Sequence, residues 1–138
     1  MQQALEKNKS LTGRVLIVED DYYSAEYYKC ILKILNIEAV FATNGKQALQ
    51  IIFNEETTIS IIFTDKKLPD MSGVEIARNV RAFYGISVQP SIVLSTGDHE
   101  LLPVNERKLF DYFIYKPFRF KDITECLYKI QEPPLNSK

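Results

Sequence analysis

Four apolar runs in this chain end abruptly in residues that can do chemistry. Ile61-Ile62-Phe63-Thr64 runs into Asp65, and Val15-Leu16-Ile17-Val18 runs into Glu19-Asp20-Asp21. Ile92-Val93-Leu94 runs into Ser95-Thr96-Gly97, and Tyr112-Phe113-Ile114-Tyr115 into Lys116-Pro117-Phe118. After Asp65 comes a turn carrying Pro69 and Gly73, and then a helical pattern. Strand, acid, loop and helix in that order is the layout of a site at the carboxyl edge of a parallel sheet.

If the first and third strands are neighbours, Glu19, Asp20 and Asp65 fall within several ångströms of one another. Unit charges about 4 Å apart repel by about 4 kcal/mol at an effective dielectric near 20. Such a cluster must protonate, stay open to water, or hold a cation. One strand-end acid is ordinarily just solvated, but three at two adjacent strand ends are harder to explain that way. Carboxylates with a loop carbonyl and waters suit a hard, octahedral ion, which points to Mg²⁺. The Ser95 hydroxyl at the same edge can donate to a phosphoryl oxygen, and the Lys116 amine can neutralise one. Asp65, where the backbone leaves the core and meets water, then reads as the acceptor of a phosphoryl group.

Periodicity supplies the elements that must position these residues. Arg14 to Val18 reads as a strand buried on both faces, being short, continuous and β-branched. A helix is predicted from Tyr23 to Leu35, where Tyr28, Ile31, Leu32 and Leu35 recur at helical spacing. Ala39 to Ala42 is a second strand, Thr43-Asn44-Gly45 a turn, and Gln47 to Phe53 a second helix with Ala48, Leu49 and Ile52 on one face. Thr58 to Thr64 is a third strand, and Val74 to Phe83 a third helix with Ile76, Ala77, Val80 and Phe83 inward. Ser91 to Ser95 is a fourth strand. From 98 to 110 the pattern is poor, and Pro103 forbids a continuous helix unless it lies in the first turn. A short or irregular element is expected there. Tyr112 to Tyr115 is a fifth strand, and Phe120 to Ile130 a last helix with Ile123, Leu127 and Ile130 on one stripe. Five strands alternating with five helical segments predict an α/β fold, a doubly wound parallel sheet with right-handed crossovers.

A length of 138 residues fits one domain, read as 13–131 between a flexible tail at 1–12 and a disordered one at 132–138. Apolar residues make up 46%, enough for a real core. A net charge of -1 gives no general pull toward nucleic acid or anionic membrane. No apolar run approaches the roughly 18 residues of a membrane span, and Met1 to Ser10 lacks a signal-peptide core, so a cytoplasmic location is the default. Cys30 and Cys126 have no metal-type spacing and read as buried or half-buried free thiols.

At this point the residues resemble a known family. The runs Val15 to Asp21, Asp65-Lys66-Lys67-Leu68-Pro69-Asp70-Met71-Ser72-Gly73, Leu94-Ser95-Thr96 and Tyr115-Lys116-Pro117-Phe118 look like the four signatures of response-regulator receiver domains, in order, one per strand edge. The resemblance covers roughly residues 13 to 131 and implies a flavodoxin-like (βα)5 fold with strand order 2-1-3-4-5. It also implies that Asp65 takes a phosphoryl group from a phosphohistidine on a histidine kinase or histidine phosphotransfer domain. Asp20 and Asp65 would bind Mg²⁺ (or Mn²⁺) directly, with the backbone carbonyl of Lys67, and Glu19 through a water. Lys116 would balance charge on the phosphoryl oxygens, and Ser95 would close on the phosphate. Phe113 would then turn inward as the switch residue. The chain would be a signalling domain rather than an enzyme, stand-alone or excised from a hybrid sensor histidine kinase. A weak homodimer fits, and direct nucleic-acid binding does not.

Some positions depart from the family's pattern. Thr96 stands where a small residue is usual, Phe113 replaces a Tyr, and Lys67 and Gly97 occupy positions that tune hydrolysis. A lysine helps an attacking water poorly, so slow self-dephosphorylation is expected. Tyr22, Tyr23, Tyr27 and Tyr28 read as core packing plus surface, with a docking face as the second reading. His99 and Lys66-Lys67 are expected to be exposed, and Arg78 and Arg81 to form the wet face of the third helix. The main alternative function is a degenerate receiver that binds partners without phosphorylation. An aspartate-nucleophile phosphatase would want a second acid where Lys67 stands, and a flavin module would not put three acids where phosphate must sit.

Overall fold

Each apolar run becomes a strand and each amphipathic run the crossover that covers it. The computed structural model describes residues 13–85, 89–97 and 102–131. The strands are β1 (Arg14–Val18), β2 (Ala39–Ala42), β3 (Ile59–Asp65), β4 (Ser91–Thr96) and β5 (Tyr112–Tyr115). The helices are α1 (Tyr22–Ile34), α2 (Gly45–Ile52), α3 (Gly73–Tyr84), α4 (Val104–Arg107) and α5 (Phe120–Gln131). All strand pairs are parallel, in the order β2-β1-β3-β4-β5. Fold class and strand order agree with the sequence reading. The expectations for 1–12, 132–138 and His99 lie outside the described residues.

Strand alternation divides the interior in two. Val15, Ile17, Ile61, Phe63, Val93 and Ile114 pack on one face against α1 and α5. Leu16, Val18, Ile62, Ile92 and Leu94 pack on the other against α2 and α3. Both faces are covered, so the strands are continuously apolar.

Local chemistry fixes where the helices begin. Asp21 caps α1 by accepting from Ser24 N at 2.9 Å, and Ser72 caps α3 by accepting from Glu75 N at 3.1 Å. The α2 start is held twice. Asn44 accepts from Gln47 N at 2.8 Å, and Asp70 accepts from Gly45 N and Lys46 N at 2.8 and 2.9 Å. The β3–α3 loop is thereby tied to the β2–α2 turn. Gly73 is required by close approach, since a Cβ there would collide with the Asp65 carbonyl oxygen.

Four sequence expectations need correction. Phe83 does not face inward; it is 61% exposed and stacks on Phe53 at the rim, ring centres 4.5 Å apart. Tyr84, four residues after Val80, continues the α3 stripe instead and packs on the core. Cys30 is exposed, because it falls opposite the Tyr28, Ile31, Leu32 stripe, whereas Cys126 is buried. Of the two lysines after Asp65, Lys67 is exposed but Lys66 is half-buried. Arg81 is not part of a wet face. Its guanidinium donates to Leu109 O at 2.7 and 3.0 Å, Gln89 Oε1 at 2.6 Å and Asp111 Oδ2 at 2.9 Å. Arg78, by contrast, pairs with Glu106 on the surface at 3.1 Å. The poorly patterned stretch does hold a short element. α4 has four residues, and Pro103 precedes it, its carbonyl accepting from Glu106 N and Arg107 N.

Arg81→Ala should cost about 2 kcal/mol in urea unfolding, since it strands the Leu109 carbonyl and leaves Asp111 without its cation. Asp70 is a pH-sensitive clamp. The two amide donors hold its carboxyl below the ordinary value of 3.8. The stabilisation is present above that value and is lost as pH falls through the lower, native one. Asp70→Ala should therefore lower the melting temperature at neutral pH, and the gap to the unaltered protein should close in acid.

Candidate functional site

The register builds the site. Val18 pairs with Thr64, Asp65 with Ser95, and Ser95 with Ile114, so Glu19, Asp65 and Ser95 lie in one row at the carboxyl edge. Glu19, Asp65, Ser95 and Lys116 each follow by two residues the buried Ile17, Phe63, Val93 and Ile114. The reactive row thus continues the α1/α5 core face one step past its apolar end.

Carboxylate oxygens of Glu19, Asp20 and Asp65 lie within 4.8 Å of one another. Glu19 is buried, Asp65 half-buried and Asp20 exposed. Lys116 Nζ reaches in, 2.7 Å from Glu19 Oε1 and 3.4 Å from Asp65 Oδ2. Glu19 Oε2 also accepts from Asp21 N at 3.1 Å, and Asp65 Oδ1 from Lys66 N at 2.9 Å. The Lys116–Pro117 bond is cis. Ser95 Oγ is buried and has no hydrogen-bond partner among the described residues.

Burial pushes the Glu19 carboxyl above its ordinary value, and the bonds from Lys116 and Asp21 only partly offset this. Burial would pull the Lys116 amine down, but the hydrogen bond and charge of Glu19, with the charge of Asp65, outweigh it and hold the amine above its ordinary value. Lys116 is therefore a fixed cation at neutral pH. Three carboxylates against one ammonium leave an excess of negative charge.

That donor set fits a hard divalent cation: all oxygen, over-negative and partly open to water. The β3–α3 loop closes by Gly73 N to Lys66 O at 2.8 Å and Leu68 N to Met71 O at 3.2 Å, a ladder that does not use the Lys67 carbonyl.

The remaining sequence candidates lie around this row. Thr96 is buried, and its carbonyl accepts from Lys116 N at 2.9 Å. Gly97 is exposed at the bend after β4, and the Lys67 side chain is exposed in the β3–α3 loop. Phe113 sits on the opposite sheet face, half-buried, beside Leu94 in register and 5.7 Å from the Phe110 ring. Tyr22 and Tyr23 are 68% and 80% exposed, but Tyr28 is buried. Its proximity to the reactive row was missed in the sequence. The available signal was a phenol in an otherwise aliphatic stripe of a helix that starts at the acid edge.

Glu19 gives a pH test in metal-free protein. Its native value lies above the ordinary 4.5, so the native state binds the proton more tightly than the unfolded chain. Its contribution to stability is greatest below 4.5 and declines as pH rises through the native value. Glu19→Gln should remove that decline, read as a flatter melting temperature against pH relative to the unaltered protein.

Comparison with known proteins agrees with this geometry. The family description "Response regulator receiver domain" matches residues 15–128. Among curated proteins, hybrid signal transduction histidine kinase L of Dictyostelium discoideum is 26% identical over 124 residues, 86% of this chain but 7% of that protein's length. Among solved structures, a CheY-like receiver domain from Methylobacillus flagellatus is 28% identical with a TM-score of 0.75, covering 87% of this chain and 98% of that one. Response regulator TrrA from Thermotoga maritima, solved with Mg²⁺ and BeF, is 25% identical with a TM-score of 0.75, covering 86% of this chain and 99% of that one. Among the described residues no helix is long and apolar enough to cross a membrane. Four strand-edge motifs, the strand order and a family match over nearly the whole described chain lead to one conclusion: the chain belongs to the response-regulator receiver domain family.

Proposed function

We propose that this receiver takes a phosphoryl group onto Asp65 from a phosphohistidine of a histidine kinase or phosphotransfer domain, as a cytoplasmic switch in two-component signalling. The observation that carries the reading is one juxtaposition. Asp65 lies with Glu19 and Asp20 inside a 4.8 Å cluster, and Lys116 Nζ is 3.4 Å from its carboxylate. An Asp65 oxygen would attack phosphorus, the P–N bond would break, and its electron pair would return to the imidazole nitrogen. Lys116, pinned by Glu19 at 2.7 Å, is already oriented to meet the phosphoryl oxygens, so little reorganisation is needed. Asp20, Asp65 and the Lys67 carbonyl would hold Mg²⁺ or Mn²⁺, with Glu19 acting through a water. The cation would supply the positive charge that one lysine cannot.

The unpartnered Ser95 hydroxyl supports a role as phosphoryl donor, because a buried polar group without a bond is costly and the phosphate would satisfy it. Phe113 lies one strand over from Leu94, the residue before Ser95. We infer that closure of Ser95 permits Phe113 to repack and so alters the β4–β5 surface that a partner reads. The Lys67 ammonium has donors only and cannot accept a proton from an attacking water, and Gly97 has no side chain, so the phosphorylated form should persist well beyond seconds. The chain spans about 7% of the hybrid kinase it matches, and a receiver of a hybrid kinase is our reading of its wider setting. A receiver that works without phosphorylation gains no support from a site that keeps Asp65, Asp20 and Lys116 together.

Incubation with acetyl phosphate and Mg²⁺, followed by intact mass, should show one added phosphoryl group that decays slowly. Asp65→Asn should show none. An adduct that survives Asp65→Asn would refute the assignment.

A further inference from the structure

The row directly beneath the reactive one is Ile17, Phe63 and Val93, paired in register. Tyr28, 2% exposed on α1, covers it. Its ring meets Phe63 edge-on at 5.7 Å and Phe118 at 4.7 Å. Phe63 precedes Asp65 by two residues, and Phe118 follows Lys116 by two. The phenol is therefore wedged between the strand that carries Asp65 and the segment that carries Lys116. Burial keeps it protonated, pushing it well above its ordinary value, and Ser95, Glu19 and Asp65 are all close enough to bear on it. Ser95 is buried and lies against the phenol, but its Oγ makes no complete hydrogen bond with it or with any other group described. Two buried hydroxyls thus lie side by side under the carboxylates, one of them unpartnered. A helix stripe of Ile and Leu would ordinarily exclude a phenol here unless its hydroxyl could find a partner.

We propose that Tyr28 is a positioning residue for Ser95: its hydroxyl donates to Ser95 Oγ when Ser95 donates its own proton to a phosphoryl group on Asp65. The chain of donors runs from Tyr28 through Ser95 to the phosphoryl oxygen, each bond polarising the next. Without the phosphoryl group Ser95 Oγ makes no hydrogen bond among the described residues, so the Tyr28–Ser95 contact is left unclosed. The relay forms only in the phosphorylated state, and so favours that state over the free one. This inference rests on Asp65 being the phosphoacceptor.

The test is a double-mutant cycle read as affinity for beryllofluoride, a phosphoryl mimic, in the presence of Mg²⁺. Tyr28→Phe keeps the ring and should weaken binding about three- to tenfold, the worth of one hydrogen bond. In the Ser95→Ala background the same substitution should change little. In unaltered protein the Tyr28 Cζ carbon resonance should shift on beryllofluoride addition, and that shift should shrink in Ser95→Ala. This second readout does not depend on the folding of Tyr28→Phe. Unchanged affinity in Tyr28→Phe, or equal losses in both backgrounds, would overturn the relay while leaving Asp65 as acceptor. Binding that persists undiminished in Asp65→Asn would instead remove the phosphoacceptor reading, and the relay with it.

Discussion

At the carboxyl edge of β1 and β3 the fold crowds like charges together, and the surrounding elements are arranged to offset that repulsion. Parallel pairing of two neighbouring strands puts Glu19 beside Asp65, and Asp20 completes a group within 4.8 Å. Such a group raises the free energy of the folded chain unless something offsets it. Lys116 offsets part, arriving from β5 on the far side of β4. The helices contribute as well. α1, α2 and α3 all begin at this edge, so their positive ends lie toward the acids. Their caps come from the same loops: Asp21 on α1, Asn44 and Asp70 on α2, Ser72 on α3. The edge is acidic, tethered and still over-negative, a state suited to a divalent cation.

On the proposed reading, the sheet would separate chemistry from response. Residues that continue the α1/α5 face past its apolar end form the reactive row, Glu19, Asp65, Ser95 and Lys116. Phe113 belongs to the other face, packed near Phe110 and the short α4. A change at Ser95 must cross the sheet through β4 and β5 to be felt at that surface. Arg81 steadies this second region by fastening α3 to the segment between α4 and β5. The region that would respond is thus held by Arg81's bonds, one four-residue helix and the buried Phe110 at the edge of the core. That is the kind of element that two states can share.

Much of this was legible in the sequence because strands buried on both faces are continuous apolar runs with little else to be. β2 and β5 fall where the pattern puts them, and the acid and lysine at each edge follow from where those runs stop. What was not legible has a common cause: it depends on side chains reaching across elements. Arg81 looks like any exposed helical arginine until the Leu109 carbonyl and Asp111 arrive from 28 and 30 residues away. Asp70 reads as a turn residue, but its carboxylate reaches back to the start of α2. Residue type suggests an inward Cys30, and the Ile76, Ala77, Val80 stripe suggests an inward Phe83; Cys30 lies opposite its helix's buried face, and Phe83 lies at the edge of its own, where Tyr84 takes the inward place. Tyr28 was correctly placed on a buried stripe, but periodicity says nothing about where its hydroxyl ends.

On the proposed reading a divalent cation would relieve the excess negative charge at the β1–β3 edge. Thermal unfolding of the protein with and without Mg²⁺, at neutral pH and matched ionic strength, puts this to the test. Millimolar Mg²⁺ should raise the melting temperature by mass action on the native state, and Asp20→Ala should abolish the rise. No rise in the unaltered protein, or an equal rise in Asp20→Ala, would contradict the account.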